Sequence, residues 1–88
     1  MKARVHSIPR NEQTRLLDRV ITVDFGARQL SIRAALDERD AHLVDVVEDD
    51  TSGSVVAVAE TAFGFTLQAL GATRVDAIER LGTLAVRP

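Results

Sequence analysis

The chain has 88 residues, 45% of them apolar and 27% charged, with a formal net charge of −2. Those values suit one small globular domain and not a disordered tail. With no cysteine, disulfides, thiolate metal sites and a cysteine nucleophile are excluded. No apolar run approaches the roughly 20 residues that cross a bilayer, and the opening MKARVHSIPR lacks the apolar core of a signal peptide. The expected location is therefore cytoplasmic, with no membrane partner. Every basic residue except Lys2 is arginine, a usage that reads as a GC-rich bacterial or phage coding sequence.

In chain order, residues 1–10 read as an extended, basic N-terminal segment broken at Pro9 and Arg10. Residues 10–18 are open between helix and loop. Asn11 suits an N-cap and Leu16, Leu17, Val20 and Ile21 keep helical spacing, yet Ile21, Val23 and Phe25 alternate as in a strand. Arg19–Phe25 and Gln29–Leu36, joined at Gly26-Ala27-Arg28, are expected to form a hairpin with one apolar face and one mostly polar face. Asp37–Asp40 is a charged loop.

The densest apolar stretch follows. In Ala41–Glu60 two β-branched arms flank Glu48-Asp49-Asp50-Thr51-Ser52-Gly53, the signature of a second hairpin. Strict alternation sends Val44 and Val46 one way and Leu43 and Val47 the other. On the second arm Val55, Ala57 and Ala59 oppose Val56 and Val58. A hairpin apolar on both faces needs cover on both, which points to self-association or a partner.

After Glu60 the spacing of Ala62, Phe63, Leu67 and Leu70 predicts a helix capped at Gly71, weakened in its middle by Gly64. Thr73-Arg74-Val75-Asp76 has the form of a capping box. It opens a second short helix through Val75, Ile78 and Leu81 that Gly82 would end, and Thr83–Val86 is an optional last edge strand. The expected fold is thus α+β. A four-stranded antiparallel meander over 19–60 precedes a helical pair over 61–82, all in one domain.

Motifs for chemistry are sparse. Glu48, Asp50, Ser52 and Gly53 fall at positions 1, 3, 5 and 6 of a calcium loop, but the bidentate carboxylate of position 12 would be Ala59 and the flanks read as strands. Asp50-Thr51-Ser52-Gly53 carries one residue too many for the Asp-Thr/Ser-Gly signature of aspartic proteases. His6 and His42 are far apart, no G-x-S-x-G occurs, and no glycine spacing suits a phosphate loop. No catalytic, metal or cofactor residue is assigned, and the expectation is a protein that is not an enzyme and carries no cofactor.

Residues 61–82 have the outline of a helix-turn-helix, but Arg74, Asp76, Glu79 and Arg80 would give its second helix a nearly neutral face. Charge is uneven along the chain. Lys2, Arg4, Arg10, Arg15 and Arg19 outnumber Glu12 and Asp18 in residues 1–19, whereas residues 41–60 hold Asp45, Glu48, Asp49, Asp50 and Glu60 and no Lys or Arg. Such blocks orient partners more than they hold them.

The function expected from these features is non-enzymatic protein–protein interaction, as a small oligomeric adaptor, a regulatory subunit or a structural component of a larger assembly. Its partners would be a second copy and another protein. The interface is placed on Leu43, Val44, Val46, Val47, Val55, Val56, Val58, Phe63 and Phe65. The alternative is a small dimeric nucleic-acid-binding regulator using Lys2, Arg4 and Arg10.

Overall fold

A computed structural model describes residues 5–19, 22–25 and 28–86, with the side chains of 22–25 left aside. Four elements come first. Strand β1 is Val5–Ser7, helix α1 is Arg10–Asp18, and strands β2 (Thr22–Phe25) and β3 (Arg28–Ser31) pair antiparallel. Helix α2 (Ile32–Glu38) follows, then β4 (Ala41–Asp49), β5 (Val55–Thr61), β6 (Thr66–Gly71) and helix α3 (Arg74–Val86). The protein is α+β. Its main sheet is four-stranded and antiparallel in the order β1-β4-β5-β6, and β2-β3 is a separate two-stranded sheet.

The expected four-stranded sheet is present, but two of its strands differ. Gly26 and Ala27 of the expected first turn lie outside the described residues. Thr22–Phe25 and Arg28–Ser31 do pair antiparallel, Thr22 opposite Ser31 and Phe25 opposite Arg28, without joining β4. Their place is taken by β1 on one edge and β6 on the other. The second arm of that expected hairpin also stops early, because Ser31 caps a helix. Its hydroxyl oxygen accepts from the Ala34 N–H at 3.2 Å, and Ile32, Ala35 and Leu36, at helical i, i+3 and i+4, are all buried. Residues 10–18 resolve as helix. Pro9 precedes the first turn, its carbonyl accepts from Glu12 and Gln13, and Leu16 and Leu17 turn inward.

The predicted helix over 61–70 is instead a tight turn and strand β6. Inward Leu67, Ala69 and Gly71 alternate with exposed Thr66, Gln68 and Leu70, a period of 2 that the scattered apolar residues before it disguised. Only the second member of the expected helical pair forms, and it is longer than expected. Gly82 is buried inside α3 and does not end it, so Thr83–Val86 is its last turn and not an edge strand. The helix starts where expected: Thr73 Oγ1 accepts from the Asp76 N–H at 3.0 Å, and Asp76 accepts from the Ala72 N–H at 3.1 Å. Arg39 donates to the Ala85 carbonyl at 2.6 Å near its other end.

The core lies between one sheet face and the helices. Val46, Val55, Ala57 and Ala59 from the sheet meet Ile32, Leu36, Ile78, Leu81 and Ala85 from α2 and α3. Alanines at 57, 59, 69 and 77 keep the helix close. At Gly71 the approach is closest, since a Cβ there would stand 2.4 Å from the Ala77 nitrogen.

Candidate functional site

Burial along β5 separates the two sheet faces. Val55, Ala57 and Ala59 are buried beneath the helices, whereas Val56 and Val58 are half-buried on the opposite side. Strand register sets Ser7, Val47, Val56 and Leu70 in one row across the sheet, with Asp45, Val58 and Gln68 in the next. Val47, Val56, Val58 and Leu70 thus make an aliphatic stripe bordered by polar residues. Leu70 is 59% exposed.

On β4 strict alternation fails. A β-bulge between Leu43 and Asp45 puts an extra residue opposite β5. Leu43 and Val46 therefore both face the core, and Val44 is exposed. Of the nine residues assigned to an interface, Leu43, Val46 and Val55 are core residues. Val44, Val47, Val56 and Val58 stay at the surface in part, and Phe63 and Phe65 do so almost wholly.

The bulge is held from the edge. Arg10 donates to the carbonyls of Val44 (3.0 Å) and Leu43 (3.2 Å) and to Gln13 (2.8 Å). Gln13, the buried polar side chain of α1, donates to the Ile8 carbonyl and to Asp45, and Ser7 donates to Asp45 at 2.7 Å. Arg10 thus braces this edge; Lys2 and Arg4 lie outside the described residues.

The β5–β6 turn presents the second apolar feature. Phe63 is 84% exposed and Phe65 is 71% exposed. They stand not on a helix but on a turn, where Gly64 takes φ +85°, a region that glycine enters at least cost. The turn is fixed from several sides. The Thr61 N–H donates to the Phe65 carbonyl (2.8 Å), the Phe65 N–H donates to Thr61 Oγ1 (3.1 Å), and the Ala62 N–H donates to the Asp40 carbonyl (2.9 Å). Two phenyl rings are thereby exposed on a hydrogen-bonded turn.

A polar cluster gathers on Arg74, which lies outside both charge blocks and binds an acid from each. Arg74 donates to both Glu48 oxygens at 3.0 and 3.1 Å and to Glu12 at 2.6 Å, tying α3 to β4 and α1. Hydrogen bonding from Arg74 holds the Glu48 carboxyl below its ordinary range, and Glu48 in turn raises Arg74. His6 sits between two carboxylates, Nε2 at 3.7 Å from Glu48 and Nδ1 at 3.6 Å from Asp50. His6, Glu48 and Asp50 bring potential metal-ligand atoms within 4.8 Å of one another. The guanidinium already takes both Glu48 oxygens, however, and different imidazole nitrogens face the two acids. This is the layout of an ion-pair network more than of a metal cage. His42 is exposed on β4, remote from it in register. The acidic turn itself is closed by Asp49, whose carboxyl is held low chiefly by the Thr51 N–H.

A cleft of about 240 Å³ opens between α1, α2 and β4, beside Arg10, Arg33 and His42. Arg33 there pairs with Asp18 at 2.9 Å, and shallower grooves of about 450 and 360 Å³ lie along α1 and between β6 and α3. Among the described residues no helix is long and apolar enough to cross a membrane. Comparison with protein-family models, curated proteins and solved structures finds no match to this chain.

Proposed function

We propose that this α+β domain is a non-enzymatic protein–protein interaction module, working as an adaptor, regulatory subunit or component of a larger assembly. The observation that carries this reading is the exposure of Phe63 and Phe65, two of the three aromatic residues in the chain, on a hydrogen-bonded turn of the strands whose helix-free face carries Val56, Val58 and Leu70. Large apolar groups held rigidly in water are what partners bury, and the polar rim of Ser7, Asp45 and Gln68 would set orientation. The docking residues on this reading are Val47, Val56, Val58, Phe63, Phe65 and Leu70.

The test is retention of a stoichiometric partner from the source cell by wild type, Val56→Asp and a Phe63→Ser/Phe65→Ser double variant. Loss from both variants, with unfolding unchanged, is the expected result. Equal retention by all three would refute the reading.

A further inference from the structure

The two edges of the main sheet are treated differently by the sequence. Among the described residues the β1 edge is three residues long, and Arg10 occupies the β4 carbonyls just beyond it. Short strands and cations at an edge discourage the addition of another strand. The β6 edge has no such device. Thr66-Leu67-Gln68-Ala69-Leu70-Gly71 contains no charge and no proline, and it pairs with β5 in continuous register without a bulge.

Which β6 groups are free follows from the ladder. The Thr61 N–H bonds the Phe65 carbonyl, and hydrogen-bonded pairs alternate along an antiparallel ladder. The bonded pairs are then Ala59/Leu67, Ala57/Ala69 and Val55/Gly71. The Asp49 N–H to Ser54 carbonyl bond on the other side of β5 has the matching parity. Thr66, Gln68 and Leu70 therefore turn their N–H and C=O groups outward, away from β5.

We propose that the β6 edge is a self-association site. The β6 strands of two copies would pair antiparallel about a two-fold axis at Gln68, making one eight-stranded sheet. This deepens the interaction-module reading, on which it rests, by naming a second copy as the occupant of this edge. The outward positions 66, 68 and 70 are centred on Gln68. One register therefore sets Gln68 against Gln68 of the second copy and Thr66 against its Leu70, each pair exchanging two N–H···O bonds. Every outward group of the strand is used. The neutral edge brings no like charges together at the axis, although the whole chain is net negative. Beside the edge, a groove between β6 and α3 is lined by Leu70, Thr83 and Leu84, with Arg80 paired to Asp76 of its own helix.

Sedimentation equilibrium over a concentration series tests this with wild type, Gln68→Pro and the Phe63→Ser/Phe65→Ser double variant. Proline at 68 removes an outward N–H and no bond to β5, a tolerated edge placement. The expected result is a wild-type dimer and a folded Gln68→Pro monomer, its dissociation constant raised roughly tenfold or more. Should Gln68→Pro fail to fold, amide exchange on wild type decides. Protection that rises with concentration at Thr66, Gln68 and Leu70 but not at Leu67 and Ala69 supports the pairing, and any other pattern overturns it. Wild type monomeric throughout would overturn it too, leaving the module reading to the partner-retention test. A dimer kept by Gln68→Pro but lost on changing both phenylalanines would overturn the edge assignment and support an interface at the turn.

Discussion

Replacing Gly71 by alanine isolates the packing of α3 on the sheet. Gly71 lies at the end of β6, buried, with a φ outside the left-handed region, so alanine meets no backbone obstacle there. On conformational grounds alone such a change stabilises by about 0.4–1 kcal/mol, through the unfolded chain. The structure reverses that sign. The added Cβ would stand 2.4 Å from the Ala77 nitrogen, 2.8 Å from its Cα and 2.9 Å from the Asp76 carbonyl carbon. All three are backbone atoms of the first turns of α3 and cannot rotate away. To restore ordinary contact the helix must retreat by about 1 Å, opening the seats of Ala77, Ile78 and Leu81, and overpacking of this kind costs about 1–3 kcal/mol. Because backbone meets backbone, the expected loss is at the upper end, about 2–3 kcal/mol, or roughly 10–20 °C in Tm for a domain of this size. Urea unfolding followed by circular dichroism measures it. An alanine variant as stable as wild type, or more so, would refute the placement of α3 against β6.

Other perturbations read different parts of the molecule. Ile78→Ala empties a fully buried site and should cost about 2–5 kcal/mol in the same urea assay. Ser31→Ala removes the cap on α2, with an expected loss of about 1 kcal/mol and local fraying visible in amide exchange over residues 32–35. The Phe63→Ser/Phe65→Ser double variant should leave monomer stability within about 0.5 kcal/mol of wild type, because both rings are already exposed; a large loss would mean that the turn is not as described. Acid unfolding reports the Arg74 contact. Glu48 is held below its ordinary value of 4.5 when folded, so its contribution is complete above that value and is lost as pH falls through the lower, folded pKa. Arg74→Met should flatten that part of the stability profile, and an unchanged acid limb would show that Glu48 gains nothing from the guanidinium.

Local sequence chemistry exposed some of this fold and concealed the rest for definite reasons. The Asp-Ser-Gly turn between Val47 and Val55, the cap at Thr73, and the alternation of Val55 through Ala59 are short-range signals, and each has its counterpart in the structure. Strand β6 was hidden because apolar residues at 62, 63, 67 and 70 mix the turn with the strand and imitate a helical period. Helix α2 was hidden because Leu30, Ile32 and Ala34 alternate across its start, while only Ser31 and the Ile32/Ala35/Leu36 spacing betray it. The bulge at Val44 has no local marker at all. It is fixed by Arg10, Gln13 and Ser7, which lie more than 30 positions away in sequence, so no reading of β4 by itself could sort its inward valines from its outward ones. The two phenylalanines were assigned to an interface, but on a helix; only the strand pairing of residues 66–71 with β5 shows that they stand on a turn.

The Arg74 contact has a consequence for how the chain is made. Glu12, Glu48 and Arg74 are drawn from the first, middle and last thirds of the sequence, and the side of the sheet lined by Val46, Val55 and Ala57 is roofed largely by residues 74–86. A ribosome delivers about 5–20 residues per second from the N-terminal end. Throughout that interval the β4–β5 hairpin exists without its roof, and its valines and alanines face water or whatever holds the nascent chain. Closure is therefore a late event, and its timing is set by the emergence of a single helix. A synonymous slowing of translation after Gly71 would lengthen the vulnerable window without changing one contact of the finished protein.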